Sequence, residues 1–169
     1  MPAWRSIPTR AAALMLAFVV AAAAAHTWRV RPGESIAAAV ERAAAGDTIE
    51  IERGHYEAHL RSDKPLTLEG IDRPTLDGGE RGDVIRVTSP DVTIEGLIVR
   101  DSGVDLGAQN AGIYLQPGAH RATVRRNFLV HNLFGLWIEK ADDAVIEGNV
   151  ITGKRELASA QRGNGIQLY

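Results

Sequence analysis

Gly112-Ile113-Tyr114-Leu115, Gly135-Leu136-Trp137-Ile138 and Gly165-Ile166-Gln167-Leu168 share one pattern: a glycine, an apolar residue, a polar or aromatic residue, and a second apolar one. The copies recur at intervals of 23 residues (112 to 135) and 30 residues (135 to 165). Self-similarity at such a period marks a repeat architecture. A second pattern lies between the copies, as Ile94-Glu95-Gly96, Val124-Arg125-Arg126-Asn127 and Ile146-Glu147-Gly148-Asn149, with Leu68-Glu69-Gly70 as an earlier member. The two interleave in fixed order, so each coil carries at least two strands.

Strands this short cannot bury a face alone. Stacking coils pairs each strand with its equivalents about 4.8 Å above and below, which makes the sheets parallel. The expected fold is all-β, a right-handed parallel β-helix (solenoid). A leucine-rich repeat would need shorter, regular Leu/Asn spacing, and an antiparallel sandwich would not give this ordered pair of motifs. Alternation along each strand sends Ile113, Leu136 and Ile166 inward and lines one outer face with Arg86, Tyr114, Trp137 and Gln167. A second outer column holds Glu69, Glu95, Arg125 and Glu147, expected as solvated structure with Arg125 relieving acidic repulsion. Asn127 and Asn149 end the second motif at matching positions, where inward amides form a stacked structural ladder at the turn. The glycines at 112, 135 and 165 are expected to serve positive φ or close backbone packing at coil corners.

Ahead of the repeat, Pro32, Gly33 and Ser35 introduce an alanine-rich stretch from Ile36 to Ala45 with helical spacing, and Gly46 stands where a C-terminal cap would. From Thr48-Ile49-Glu50-Ile51 the period becomes two. The expected division is a signal peptide over 1–25, an N-terminal cap with its helix over 26–46, and coils over 47–169. Arg5 and Arg10 precede the 15-residue apolar run Ala11 to Ala25, and small alanines lead up to His26. That run is short of the roughly twenty residues a spanning helix needs, so cleaved export to the periplasm is expected, with no transmembrane segment in the mature chain. Tyr169 directly follows a coil motif without a polar capping segment, so further C-terminal coils are expected beyond it.

Removing Arg5 and Arg10 leaves 17 of the 19 basic residues against 21 acidic ones, which argues against a nucleic-acid partner. The chain has no cysteine, and both methionines, Met1 and Met15, fall in the leader. Any soft-metal site in the coils therefore lacks sulfur.

Long connections near Arg100 to Ala111 and Gly153 to Asn164 flank a short crossing, His131-Asn132-Leu133-Phe134. A cleft with a short floor between two longer walls is expected there. His131 is the candidate metal ligand of that floor, with Asp101, Asp105, Asn110, Glu156 and Asn164 on neighbouring loops; a hydrogen-bonding corner is the competing role. Tyr114 and Trp137 would present rings to a sugar or a partner protein, with Arg86 and Gln167 beside them; packing under a loop is the alternative. His55 and His59 fall in extended or turning chain and His120 in a turn. Asp142-Asp143, adjacent in a turn, cannot straddle a scissile glycosidic bond.

The order of cap helix, Gly46-Asp47-Thr48-Ile49, Gly54-His55-Tyr56, Lys64-Pro65-Leu66-Thr67-Leu68-Glu69-Gly70 and Thr75-Leu76-Asp77-Gly78-Gly79 resembles the NosD family of nitrous-oxide reductase maturation proteins. Gly82 to Val87, Asp91 to Gly96, Asn127, Gly135, Asn149 and Arg162-Gly163-Asn164-Gly165-Ile166 extend the resemblance over nearly all of residues 30 to 169. The resemblance implies a periplasmic accessory protein of denitrification with a pectin-lyase-like coil. It would work with an ABC-type transporter, nitrous-oxide reductase and copper-delivery proteins to assemble the reductase's copper centre. It implies no catalysis by this chain; no cofactor is assigned to these coils, and copper is expected only through the full-length protein. The alternative is a carbohydrate-binding or polysaccharide-cleaving or epimerising β-helix, but the chain carries no Asp-Pro-His-Asp signature and no clustered Asp, Lys and Arg set of the lyase kind.

Overall fold

The computed structural model describes residues 24–169, so the expected signal peptide lies almost wholly outside the described residues. After β1 (Thr27–Val30) and α1 (Ile36–Arg42), the chain winds through five three-stranded coils. The first coil is β2 (Thr48–Ile51), β3 (His55–Glu57) and β4 (Leu60–Ser62), and the second is β5 (Thr67–Gly70), β6 (Thr75–Asp77) and β7 (Ile85–Val87). The third is β8 (Thr93–Glu95), β9 (Ile98–Arg100) and β10 (Ala111–Leu115), and the fourth is β11 (Thr123–Arg125), β12 (Phe128–Asn132) and β13 (Phe134–Ile138). The fifth is β14 (Val145–Glu147), β15 (Val150–Gly153) and β16 (Ile166–Leu168).

Equivalent strands stack in parallel into three sheets, β1-β2-β5-β8-β11-β14, β3-β6-β9-β12-β15 and β4-β7-β10-β13-β16. The chain is a parallel β-helix. Three apolar columns fill its bore. Ile49, Leu68, Ile94 and Val124 stack in the first sheet, and Tyr56, Leu76, Val99 and Leu129 stack in the second. Leu60, Ile85, Ile113 and Leu136 stack in the third. All are buried, and full burial of such a side chain is worth about 1.5–3 kcal/mol.

β3 and β6 leave the first sheet through the connections 52–54 and 71–74, whereas β9, β12 and β15 turn off it at a tight corner. Gly96, Arg126 and Gly148 occupy that corner in successive coils at φ 72°, 55° and 61°. The left-handed backbone redirects the chain within one residue. The asparagine ladder sits immediately behind it.

The helix is shorter than the Ile36 to Ala45 expectation, and its C-cap is Ala43, not Gly46. The Asp47 carboxylate causes the early exit: its Oδ2 accepts the Ala44 N–H at 2.9 Å, drawing the chain out of helical geometry. Lys64 Nζ secures the end by donating to the Ala43 carbonyl at 2.6 Å. At the N-terminus, Ser35 Oγ accepts from the Ala38 N–H at 3.1 Å.

Close packing, not positive φ, explains Gly112 and Gly135 but not Gly165. A Cβ on Gly135 would stand 2.4 Å from Ile151 Cγ2 and 2.5 Å from the Gly165 carbonyl oxygen, whereas one on Gly165 would meet nothing nearer than 3.6 Å.

Candidate functional site

The second sheet's trailing edge places Asp101 just past β9 and His131 inside β12, both with left-handed backbone, at φ 57° and 55°. His131 belongs to a strand rather than to the expected crossing loop. It sits where the β12 register with β15 shifts between Val130 and Asn132, one residue past the last pair with β9, Val130 and Arg100. The following residue, Asn132, is fully buried; its Oδ1 accepts the Ser102 N–H at 3.1 Å and its Nδ2 donates to the Val99 carbonyl at 2.9 Å. That inward amide clamps the strand and fixes where the imidazole points.

His131 is bracketed by carboxylates. Nδ1 meets Asp101 Oδ1 in a short contact, and Nε2 lies 2.8 Å from Glu156 Oε1. Lys154 Nζ stands 3.3 Å from Glu80 Oε1 and 3.4 Å from His131 Nδ1, its side chain 1% exposed. Arg100 pairs with Asp101 on the other side. Burial alone would raise the Asp101 carboxyl, but hydrogen bonds from His131 and Arg100 outweigh it and hold the group below its ordinary range. Glu156 is also lowered, first by its own backbone N–H and then by His131.

Of the residues expected around His131, the structure brings in Asp101 and Glu156 and leaves out three. Asp105 instead receives the Gly107 and Ala108 N–H groups, at 2.8 and 3.0 Å. Asn110 Oδ1 accepts the Asp105 N–H at 3.1 Å, and Asn164 Nδ2 donates to Gln167 at 2.6 Å. Glu80, Lys154 and Arg100 were not anticipated. Glu80 follows the Asp77-Gly78-Gly79 turn three coils away from Lys154, a separation of 74 residues, and no local signal links them.

A pocket lined by Val104, Asp105, Leu106, Gly107, Leu157 and Gln161 lies between the two long connections, and His131 does not line it. The connection 154–165 lies down on the short crossing instead of flanking it. A Cβ on Gly163 would come within 2.4 Å of the Leu133 carbonyl oxygen. Beneath it, Ala111, Tyr114, Leu133 and Phe134 form a small apolar cluster with Trp137 and Leu157 packed against it.

The outer column has the expected register: Arg86, Tyr114, Trp137 and Gln167 are cross-strand neighbours, with Arg61 a further member. Its Tyr114 ring is covered and its Trp137 ring half-covered. Tyr114 is 3% exposed, donates its hydroxyl to Glu139, and lies under the Arg86 guanidinium at 4.6 Å. Burial, followed by the Glu139 contact, pushes the phenol up to about 12. Trp137 packs edge-on against Phe134 at 4.8 Å, and its buried indole N–H has no hydrogen-bond partner among the described residues. Gln167 Oε1 is taken by Asn164.

In the acidic column the expectation of solvated charges fails at Glu95, which is buried and receives both Arg125 (2.8 Å) and Arg126. Two guanidiniums on one carboxylate replace the water it loses. Of the other histidines, His55 faces Asp77 at 3.4 Å, His59 Nδ1 contacts the Asp83 carbonyl at 2.8 Å, and His120 Nδ1 accepts the Asp142 N–H at 3.1 Å. None of them joins the His131 group. Among the described residues, no helix is long and apolar enough to cross a membrane.

No family model matches the chain, and no solved structure matches it. It is 36% identical over 116 residues to the probable ABC transporter binding protein NosD of Pseudomonas aeruginosa, covering 69% of this chain and 27% of that protein. It is 28% identical over the same length, with the same coverage, to the protein of that name from Stutzerimonas stutzeri. The matched stretch thus spans about a quarter of the curated relatives' length. A parallel β-helix with that likeness makes this chain a relative of the NosD proteins.

Proposed function

We propose that this chain is part of an exported accessory protein that works with an ABC-type transporter in the periplasm to mature the copper centre of nitrous-oxide reductase, without catalysing a reaction itself. The observation that carries this reading is the 36% identity to a protein named for binding an ABC transporter. The shape suits it. A β-helix is a rigid rod whose stacked outer columns offer long surfaces to large partners, and such surfaces need no reactive centre.

The donors in these coils do not suit copper(I), which favours sulfur: residues 24–169 contain neither cysteine nor methionine. We therefore assign them a scaffold role and derive no copper step through them. Tyr114 is buried and Trp137 half-buried, which leaves the polysaccharide alternative little aromatic surface at these two positions.

The test is the copper content of nitrous-oxide reductase in cells lacking the full-length gene. Apo-reductase in the deletion, restored to full loading by the intact gene, is the expected result. Normal loading in the deletion overturns the proposal.

A further inference from the structure

Glu80, Asp101 and His131 offer two carboxylate oxygens and an imidazole nitrogen that all lie within 4.8 Å of one another. Three protein ligands on one tetrahedral ion at about 2.0–2.2 Å would stand roughly 3.4 Å apart. The exposed Glu80 arm, 3.9 Å from His131 Nδ1, can make that closure by rotamer change, while Asp101 and His131, in direct contact, would have to separate to admit an ion between them.

Two further observations point to a cation at this place. The Lys154 ammonium is buried and sits between Glu80 and His131 Nδ1, so the fold already directs a positive charge to this point. Burying an ammonium is costly unless the surroundings are strongly negative. The second is the Glu156 carboxylate on the far ring nitrogen, at 2.8 Å. A ring that donates Nε2–H to an outer carboxylate presents the Nδ1 lone pair to a metal, the arrangement found behind metal-bound histidines.

We propose that Glu80, Asp101 and His131 bind a divalent cation of the Zn2+ class, with Glu156 positioning the imidazole and Lys154 acting as an internal cation that the metal displaces. One nitrogen and two oxygens suit borderline divalent ions and disfavour copper(I). The site is independent of the maturation reading, since it is read on the purified chain and not in cells.

The experiment is calorimetric titration of the purified chain with Zn2+ alone, with far-ultraviolet circular dichroism checking that each variant is folded. Wild type is expected to bind one ion, Glu80→Gln and His131→Ala to lose at least tenfold in affinity, and Lys154→Met to gain at least tenfold. Glu156→Gln, acting through the ring, should lose about tenfold. Binding by Lys154→Met alone would uphold the site with a lysine that wins the competition. Should His131→Ala fail to fold, the exposed Glu80→Gln decides. Equal Zn2+ affinity in wild type and Glu80→Gln overturns the proposal, as does no binding by either wild type or Lys154→Met. A Lys154→Met affinity no higher than wild type removes the displaced lysine.

Discussion

Asn127 stacks on Asn149 in the next coil, its Nδ2 donating to the Asn149 Oδ1 at 3.1 Å while the same oxygen accepts the Asn127 N–H at 3.0 Å. Asn127 is fully buried and continues the ladder downward, accepting the Leu97 N–H at 3.0 Å and donating to the Ile94 carbonyl at 3.0 Å. Asn127→Ala strands those backbone groups away from water. It should destabilise the fold by about 2–4 kcal/mol, since each unsatisfied buried polar group costs roughly 1–3 kcal/mol. Urea unfolding checks this, and a shift in midpoint worth under about 0.5 kcal/mol would show that water substitutes for the amide.

Two glycines of the same sequence motif should respond oppositely to alanine. Gly135→Ala drives a methyl to 2.5 Å from the Gly165 carbonyl and forces two coils apart, while Gly165→Ala meets only ordinary contacts from 3.6 Å outward. Thermal melts should show a clear loss for the first, on the order of 1–3 kcal/mol as for overpacked cores. The second should change little. Equal losses would mean that the motif glycine is needed for something other than coil spacing.

Acid should loosen the junction of cap and first coil through Asp47. Its carboxylate accepts the Trp28 indole N–H at 2.9 Å, the His26 N–H at 2.8 Å and the Ala44 N–H at 2.9 Å. The indole bond first, then the backbone N–H bonds, hold the Asp47 carboxyl below the ordinary aspartate range. A carboxylate with a depressed folded-state pKa contributes stability that is full above the unfolded value and is lost as pH falls through the folded one. Stability measured from neutral pH downward should decline less steeply in Asp47→Asn than in wild type. Parallel curves would remove Asp47 from the acid response.

Alkali tests Tyr114. Its phenol is pushed up to about 12 by burial and by Glu139. A raised folded-state pKa gives stability that is full below the unfolded value near 10 and lost as pH climbs through the folded one. Ultraviolet difference titration should show a late step that disappears in Tyr114→Phe. Loss of amplitude from the ordinary step near 10, with the late step kept, would place the phenol in solvent.

The period-two strands, their columns and the asparagine ladder were legible because a stacked coil repeats the same choice at the same position. Ile113 and Leu136, or Glu69 and Glu95, announce their pairing by recurrence alone. The strands of the second sheet were not legible. Thr75–Asp77 and Ile98–Arg100 are three residues long, too short to display alternation, and they begin one left-handed corner after the preceding strand. The helix ends earlier than its sequence implies for a tertiary reason, since the Asp47 carboxylate overrides the helical tendency of Ala43 to Ala45. His131, Asp101 and Glu156 could be nominated from loop positions, but Glu80 and Lys154 could not.

The amino-acid sequence by itself determined the solenoid, because inward apolar residues at a repeating interval have one economical solution: parallel stacking that buries each strand against its copies. It also determined the absence of sulfur donors from residues 24–169. Only the tertiary structure decided which outward residues are covered and which charges meet. Whether Tyr114 faces solvent depends on where the connection 154–165 comes to rest. The meeting of Lys154 with Glu80 depends on the geometric stacking of coils that lie 74 residues apart along the chain. Periodicity encodes the contacts of equivalent positions; contacts between inequivalent loops, with no repeat to register them, exist only once the coils have stacked.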